Sequence, residues 1–233
     1  MATPAFADEF VDFLALLPSA SQRRLLEHSI QVTAPAGAVA VRPGHARDAF
    51  LVRQGLIRFF WVAPDGQEPT IAFFYPGNLV GAPQLLPGAA SWWGPFGSAG
   101  AHAVVDSTLT FLDLETARSV ASREIEVVSA LATVLAAFSR YSVRRFAVRS
   151  LGNIPERLAF DLLERASRSQ LSLGRLDARG THQDLADSIG SSREVVSRAL
   201  KALRTAGIVE TAPGVTRVLD PIRLANIVRT LLT

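Results

Sequence analysis

The chain has 233 residues, of which 48% are hydrophobic and 19% charged, and it contains no cysteine. That composition suits a folded globular protein, and the missing cysteine excludes disulfides, cysteine-ligated zinc, iron–sulfur clusters and thiol catalysis. Charge is split unevenly: residues 1–120 carry 7 Arg against 10 acidic groups, net −3, and residues 121–233 carry 17 basic against 11 acidic groups, net +6, which predicts a polyanionic partner for the second half.

Residues 8–27 read as helical, with Phe10, Phe13, Leu14, Leu17, Leu25 and Leu26 inward and a break at Pro18-Ser19-Ala20. From Ile30 to Leu112 short apolar or alternating runs follow: 39–41, 50–52, 57–62, 70–75, 101–105 and 108–112. Turn clusters such as Pro43-Gly44, Pro76-Gly77-Asn78 and Pro87-Gly88 separate them. This punctuation predicts an antiparallel sandwich or barrel, with Asp65-Gly66 as its best hairpin turn. No stretch approaches the ~18 uninterrupted apolar residues of a membrane helix. The start, Met1-Ala2-Thr3-Pro4-Ala5, lacks the pattern of a signal peptide, so a cytoplasmic protein away from membranes is expected.

A long helix comes next. Val127, Leu131, Val134, Phe138, Tyr141, Arg145 and Val148 recur at alternating steps of four and three, and neither Gly nor Pro occurs between Glu124 and Leu151. Such a seam fits a core helix, or one pairing with its own copy in a homodimer; the narrow seam and flanking Arg140, Arg144 and Arg149 favour the homodimer. Leu151-Gly152-Asn153-Ile154-Pro155 ends it, with Gly152 suited to a left-handed closing position and Pro155 to a helix start. The expected division is therefore a roll over 1–120, a dimer helix over 121–151 and a third part over 152–233. A fresh helix is expected over 155–167.

Residues 181–203 carry the most information. Thr181 suits a helix N-cap with Asp184 supporting it; Leu185, Ala186 and Ile189 form an inward stripe; Gly190 breaks the helix. Ser191-Ser192 can cap a second helix whose Val195, Val196, Ala199, Leu200 and Leu203 point inward. A small residue four before the turn glycine, and a core valine six after it, suit two closely crossing helices. Arg193, Glu194, Ser197, Arg198 and Lys201 then face outward. Arg can donate twice to a guanine edge and Glu can accept from cytosine, while Thr181 and Ser192 with their helix amides can hold phosphates. Two β-prone runs around Ala212-Pro213-Gly214 make a hairpin wing, from which Arg217 could reach a phosphate. A last helix starts at Asp220-Pro221.

With these residues the chain resembles the cyclic-AMP receptor protein / fumarate-nitrate regulator superfamily of bacterial transcription factors. The resemblance implies an α+β fold: an N-terminal antiparallel β-roll (a cyclic-nucleotide-binding-like jelly roll), a long dimerisation helix and a C-terminal winged helix-turn-helix. The family's phosphate-contacting Thr and Gln match Thr181 and Gln183. Its Ser-Arg-Glu-x-x-x-Arg matches Ser192-Arg193-Glu194-Val195-Val196-Ser197-Arg198, which implies that Arg193, Glu194 and Arg198 read bases of double-stranded DNA. Analogy adds RNA polymerase as a partner, through 167–180 or the roll surface.

The sensing half departs from the family. Where cyclic-nucleotide members carry Gly-Glu-Leu and Arg-Ser, this chain reads Gly81-Ala82-Pro83 and Gly97-Ser98-Ala99, and the adenine-contacting Thr-Ser falls at Ser142-Val143. A phosphate buried without a cation is badly destabilised, so cyclic AMP is not expected to bind. The Trp92-Trp93 segment reads either as an aromatic cap or as the lid of a pocket for a small apolar effector, and the absence of any effector is the third option. His28, His45 and His102 stand apart, so no metal site, haem or other cofactor is expected. The competing functions are a small-molecule-binding barrel and a cupin-like enzyme. The isolated histidines and the lack of phosphate-loop, nucleophile-elbow or zinc motifs argue against catalysis.

Overall fold

The computed structural model describes residues 11–42, 49–64, 66, 68–86, 98–173 and 175–229. Among these the chain forms two compact units, one ending at Arg140 and the other beginning at Tyr141.

The first unit opens with a 3-10 turn, Leu14–Leu16, and helix α1, Ser19–Leu25. The Pro18-Ser19-Ala20 break therefore marks a helix start, with Pro18 as N-cap, because proline is favoured where no backbone donor is needed. An antiparallel sheet follows in the order β1 (Ile30–Ala34), β6 (Ser98–Phe111), β3 (Phe50–Val62), β4 (Thr70–Phe74). In addition β2 (Val39–Val41) pairs with β6, and β5 (Leu79–Val80) with β3. The runs 50–52 and 57–62 are thus one strand, as are 101–105 and 108–112. Their apparent breaks are register shifts in the β3–β6 ladder around Gln54 to Ile57. Gly55 sits there at φ +95°, and a Cβ on it would lie 2.1 Å from the Ser107 hydroxyl, so only glycine fits this bulge. Asp65 lies outside the described residues.

Helix α2 (Leu114–Arg123) is capped by Asp113, whose carboxylate accepts from the Thr116 amide at 2.8 Å. Helix α3 (Ile125–Leu151) follows after one residue. Phe13, Leu17, Leu51, Leu85, Val127 and Leu131 share one buried cluster. Beside it Phe74 stacks on Phe138 at 6.4 Å and meets Phe59 edge-on at 6.0 Å.

The second unit holds the end of α3, then α4 (Ile154–Leu173), β7 (Asp177–Arg179), α5 (His182–Ile189), α6 (Arg193–Thr205), the β8–β9 hairpin (Val209–Ala212, Val215–Val218) and α7 (Pro221–Arg229). Strand β7 extends the hairpin into a three-stranded sheet ordered β7-β9-β8. Most of the stretch 167–180 is thus helix and strand. The corner after α3 also differs from expectation. Gly152 is absent from the positive-φ glycines; its N–H donates to Val148 O, and Asn153 and Glu156 cap each other's amides reciprocally.

The seam side of α3 is covered by its own chain. Val127, Leu131, Tyr141 and Val148 are at most 2% exposed and Arg145 is 6%, all buried within their own chain, with Val134 and Phe138 half-buried. A heptad period marks an apolar face but does not say which chain covers it. The large apolar side chains that α3 leaves exposed are Ile125 and Val128 in the first unit and Val143, Phe146 and Leu151 in the second, the last two each 72% exposed. Eighteen residues, five helical turns, separate Ile125 from Val143 and Val128 from Phe146, so each pair repeats on one side of the helix. Apolar on both sides, Ile125–Val148 is long and apolar enough by length and composition alone to cross a membrane; no uninterrupted run had signalled it. Leu131→Ala should destabilise the first unit by about 2–5 kcal/mol in urea unfolding, independently of protein concentration, because Leu131 fills its own chain's core. A loss that vanishes on dilution would instead assign Leu131 to a partner helix.

Candidate nucleic-acid interface

Helix α5 starts in a complete capping box. Thr181 Oγ1 accepts from the Asp184 amide at 3.1 Å, and the Asp184 carboxylate accepts from the Thr181 amide at 2.8 Å. Gly190 ends α5 in the left-handed conformation, φ 62° and ψ 53°, where a side chain would be strained. Ser191 N–H then donates to Ala186 O at 2.9 Å. Ser192 caps α6 by accepting from the Val195 amide. Leu185, Ala186, Ile189, Val196 and Leu200 interlock in one core cluster, each at most 2% exposed. Burial of that stripe fixes the rotation of α6.

The opposite side of α6 consequently points to solvent. Arg193, Glu194, Arg198 and Lys201 are all exposed, as is Arg204 in the last turn, which the sequence reading passed over. Arg193, Lys201 and Arg204 fall at helical steps of eight and three, so the period already contained this third cation. The Glu194 carboxyl is held below its usual range by its own backbone amide, then by Ser192 Oγ, with Arg193 and Arg198 adding favourable charge. It presents an ionised acceptor between two guanidinium donors.

Other expected contacts are engaged within the protein. Ser197 is half-buried and its Oγ lies 2.8 Å from His182 Nδ1, a link between the two helices that sequence spacing does not reveal. Gln183 is exposed and donates to Asp187 at 2.8 Å. Arg217 lies on β9, where its Nε donates to Asp177 at 2.9 Å and Glu210 stands 3.7 Å from its Nη1; Asp177 foremost holds its pKa above the ordinary value.

Of the residues expected around an effector, Gly81, Ala82 and Ser98 lie in the first unit and Ser142 and Val143 in the second. Gly81, left-handed at φ 80°, precedes the 3-10 turn Ala82–Leu85, and Ala82 is buried in the same cluster as Phe13 and Leu85. Ser98 begins β6 opposite Val62. Ser142 is half-buried and Val143 66% exposed on α3. Trp92, Trp93 and Gly97 lie outside the described residues, as does His45. His102 stands 5.7 Å from the Phe60 ring, and among the described residues no three metal-ligating side chains converge. Sequence reasoning missed a buried cation in the roll: Arg58, 2% exposed, donates to Thr70 Oγ1 at 2.7 Å and to the Glu68 carbonyl. A charge inside the otherwise apolar run 57–62 was its only sign.

An exposed cationic reading helix, a capped supporting helix and a β-hairpin wing define a winged helix-turn-helix DNA-binding protein. A Crp-like helix-turn-helix domain family matches residues 156–227, and a cyclic nucleotide-binding domain family matches residues 31–124. The chain is 33% identical over 178 residues to the cyclic AMP receptor protein of Thermus thermophilus, covering 76% of this chain and 78% of that one. It is 25% identical over 197 residues to the CRP-like cAMP-activated global transcriptional regulator of Mycobacterium tuberculosis, covering 82% and 85%. Among solved structures, a CRP/FNR-family transcriptional regulator from Thermus thermophilus superposes with a TM-score of 0.67 at 25% identity, covering 86% of this chain and 98% of that one. The chain belongs to the cyclic-AMP receptor protein / fumarate-nitrate regulator superfamily of transcription factors, a family of regulators rather than enzymes.

The depressed pKa of Glu194 has a pH consequence. Its acceptor is present above the lowered value and is lost only as pH falls through it, so, if Glu194 contacts a base, preference at that position should be unchanged from pH 8 to about pH 5. Competition binding with duplexes substituted at that position checks this; a preference already fading near pH 6 would remove Glu194 from the contact.

Proposed function

We propose that the protein is a homodimeric regulator that reads a near-palindromic DNA site through α6 and does not use cyclic AMP. The observation that carries the reading is the outward face of α6, which exposes Arg193, Arg198, Lys201 and Arg204 together with the ionised Glu194. Two such helices, presented by paired copies, would enter successive major grooves about 34 Å apart. The outward stripe of α3 supports the pairing. Ile125, Val128, Val143 and Phe146 are apolar, exposed and in helical register, and a second copy of the same stripe is the occupant that a two-fold dimer requires. Pairing is therefore assigned to this stripe rather than to the Val127–Arg145–Val148 side. A protein acting on cytoplasmic DNA has no need of a membrane.

Two features argue against cyclic AMP. Ala82 has neither carboxylate nor space around it, being buried in the core. Among the described residues, Phe59, Phe74 and Phe138 pack against one another beside α3, an apolar surrounding that disfavours a buried phosphate. Titration calorimetry with cyclic AMP is expected to give no heat at micromolar ligand; micromolar binding would overturn this part of the reading.

The DNA reading is tested with duplexes selected in vitro by the full-length protein. Arg193→Ala should weaken the selected site by about 1–3 kcal/mol and relax preference at one position in each half. A variant that changes only the salt slope, with sequence preference intact, would make Arg193 a phosphate contact instead.

A further inference from the structure

Four backbone carbonyls at the end of any α-helix lack intrahelical partners. In α5 each of the four has an identifiable donor. Ala186 O accepts from Gly190 and Ser191, and Asp187 O from Gly190. Ser188 O accepts from Arg145 Nη2 at 2.7 Å, and Ile189 O from Arg157 Nη1 at 3.1 Å. The donor to Ser188 comes from α3, 43 residues earlier, and the same Nη2 lies 2.9 Å from Ser188 Oγ. A cation at a helix C-terminus also meets the negative end of its dipole.

Arg145 is held for this contact. Its Nη1 donates to Tyr141 Oη at 3.1 Å and stands 3.7 Å from Asp161 and 4.0 Å from Glu164. Asp161 also accepts from Ser188 Oγ and pairs with Arg165 Nε at 2.8 Å. Arg165, in turn, donates to the carbonyls of Arg179 and, at 3.3 Å, Asp184. Burial opposes the charge of Arg145, but Tyr141, Glu164 and Asp161 outweigh it and raise its pKa. Two arginines and two carboxylates thus share one buried ionic cluster joining α3, α4 and α5, tied by hydrogen bonds through Tyr141 and Ser188, and Val148 adds an apolar seat in the surrounding core.

We infer that Arg145 is a positioning residue for DNA reading: by capping α5 from α3 it makes the last three turns of α3 one rigid body with α5 and α6. Rotation of those turns is then delivered to the reading helix through the Arg145–Ser188 contact, and the Gly152–Pro155 corner is not the pivot. The functional part of the inference rests on the dimeric DNA reading above; the mechanical part does not.

Both parts are tested on the full-length protein with Arg145→Gln and Arg145→Lys. In hydrogen exchange on the free protein, R145Q should release amides 146–151 and 188–191 together, with the roll unaffected. Release of 188–191 alone, or of neither, overturns the rigid body. The functional arm compares an in-vitro-selected duplex with the same duplex carrying two extra base pairs between its half-sites. The wild type should prefer the first by about 100-fold, since simultaneous engagement requires matched geometry. R145Q should lose about tenfold of that preference with half-site sequence preference intact, and R145K should restore most of it. Wild-type spacing discrimination in R145Q overturns the inference. If the wild type selects no duplex, the DNA reading fails and exchange alone decides the coupling. If R145Q does not fold, Ser188→Ala, which leaves the charges paired, is expected to shift both readouts in the same direction, and unchanged readouts overturn the inference.

Discussion

The α5–α6 corner is the constraint on which the rest depends. Gly190 must be left-handed, and Ala186 must be small enough to share a core cluster with Val196. Once these conditions hold, burial of Leu200 and Leu203 leaves α6 a single rotational setting. The outward cations are a consequence of that packing, since each is displayed only because an apolar residue on the other side is covered. The corner is also electrostatically closed: no terminal carbonyl of α5 is left for a neighbouring chain or for DNA to satisfy.

Helix α3 shows how one element serves two purposes. Its inner side is core in both units, and its outer side repeats apolar residues at helical spacing. The unit boundary at Tyr141 falls inside the helix, ahead of the visible chain break at Gly152-Asn153. The buried cluster around Asp161 explains why: Arg145, in the last turns of α3, is committed to α4 and α5. A buried ionic cluster contributes little net stability against apolar packing, yet removing one member leaves the others uncompensated. Such clusters suit the fixing of orientation more than the raising of stability.

Much of the architecture was legible in sequence because it rests on local chemistry. Turn residues separated the strands, Thr181 and Asp184 announced a capped helix, Gly190 its end, and the periodicity of Val196, Leu200 and Leu203 an inward side. What sequence hid was the identity of the covering surface. Arg145 read as one charge in an apolar seam because Asp161, Glu164 and Ser188 lie 16 to 43 residues further on. Arg58 was hidden in the same way within β3, and His182 pairs with Ser197 only through the fold. Strands β3 and β6 read as four because a bulge mimics a break. The departure of the sensing half was visible as Ala82 in place of a carboxylate, whereas the aromatic filling by Phe59, Phe74 and Phe138 required the tertiary structure.

The central claim is that two copies present their reading helices to one duplex at a one-turn separation. Hydroxyl-radical footprinting of the full-length protein on an in-vitro-selected duplex measures this most directly. Two protected patches on one face of the duplex, centred about 34 Å apart and related by a two-fold axis, are expected. A single patch, or uniform protection that follows only the salt concentration, would contradict it.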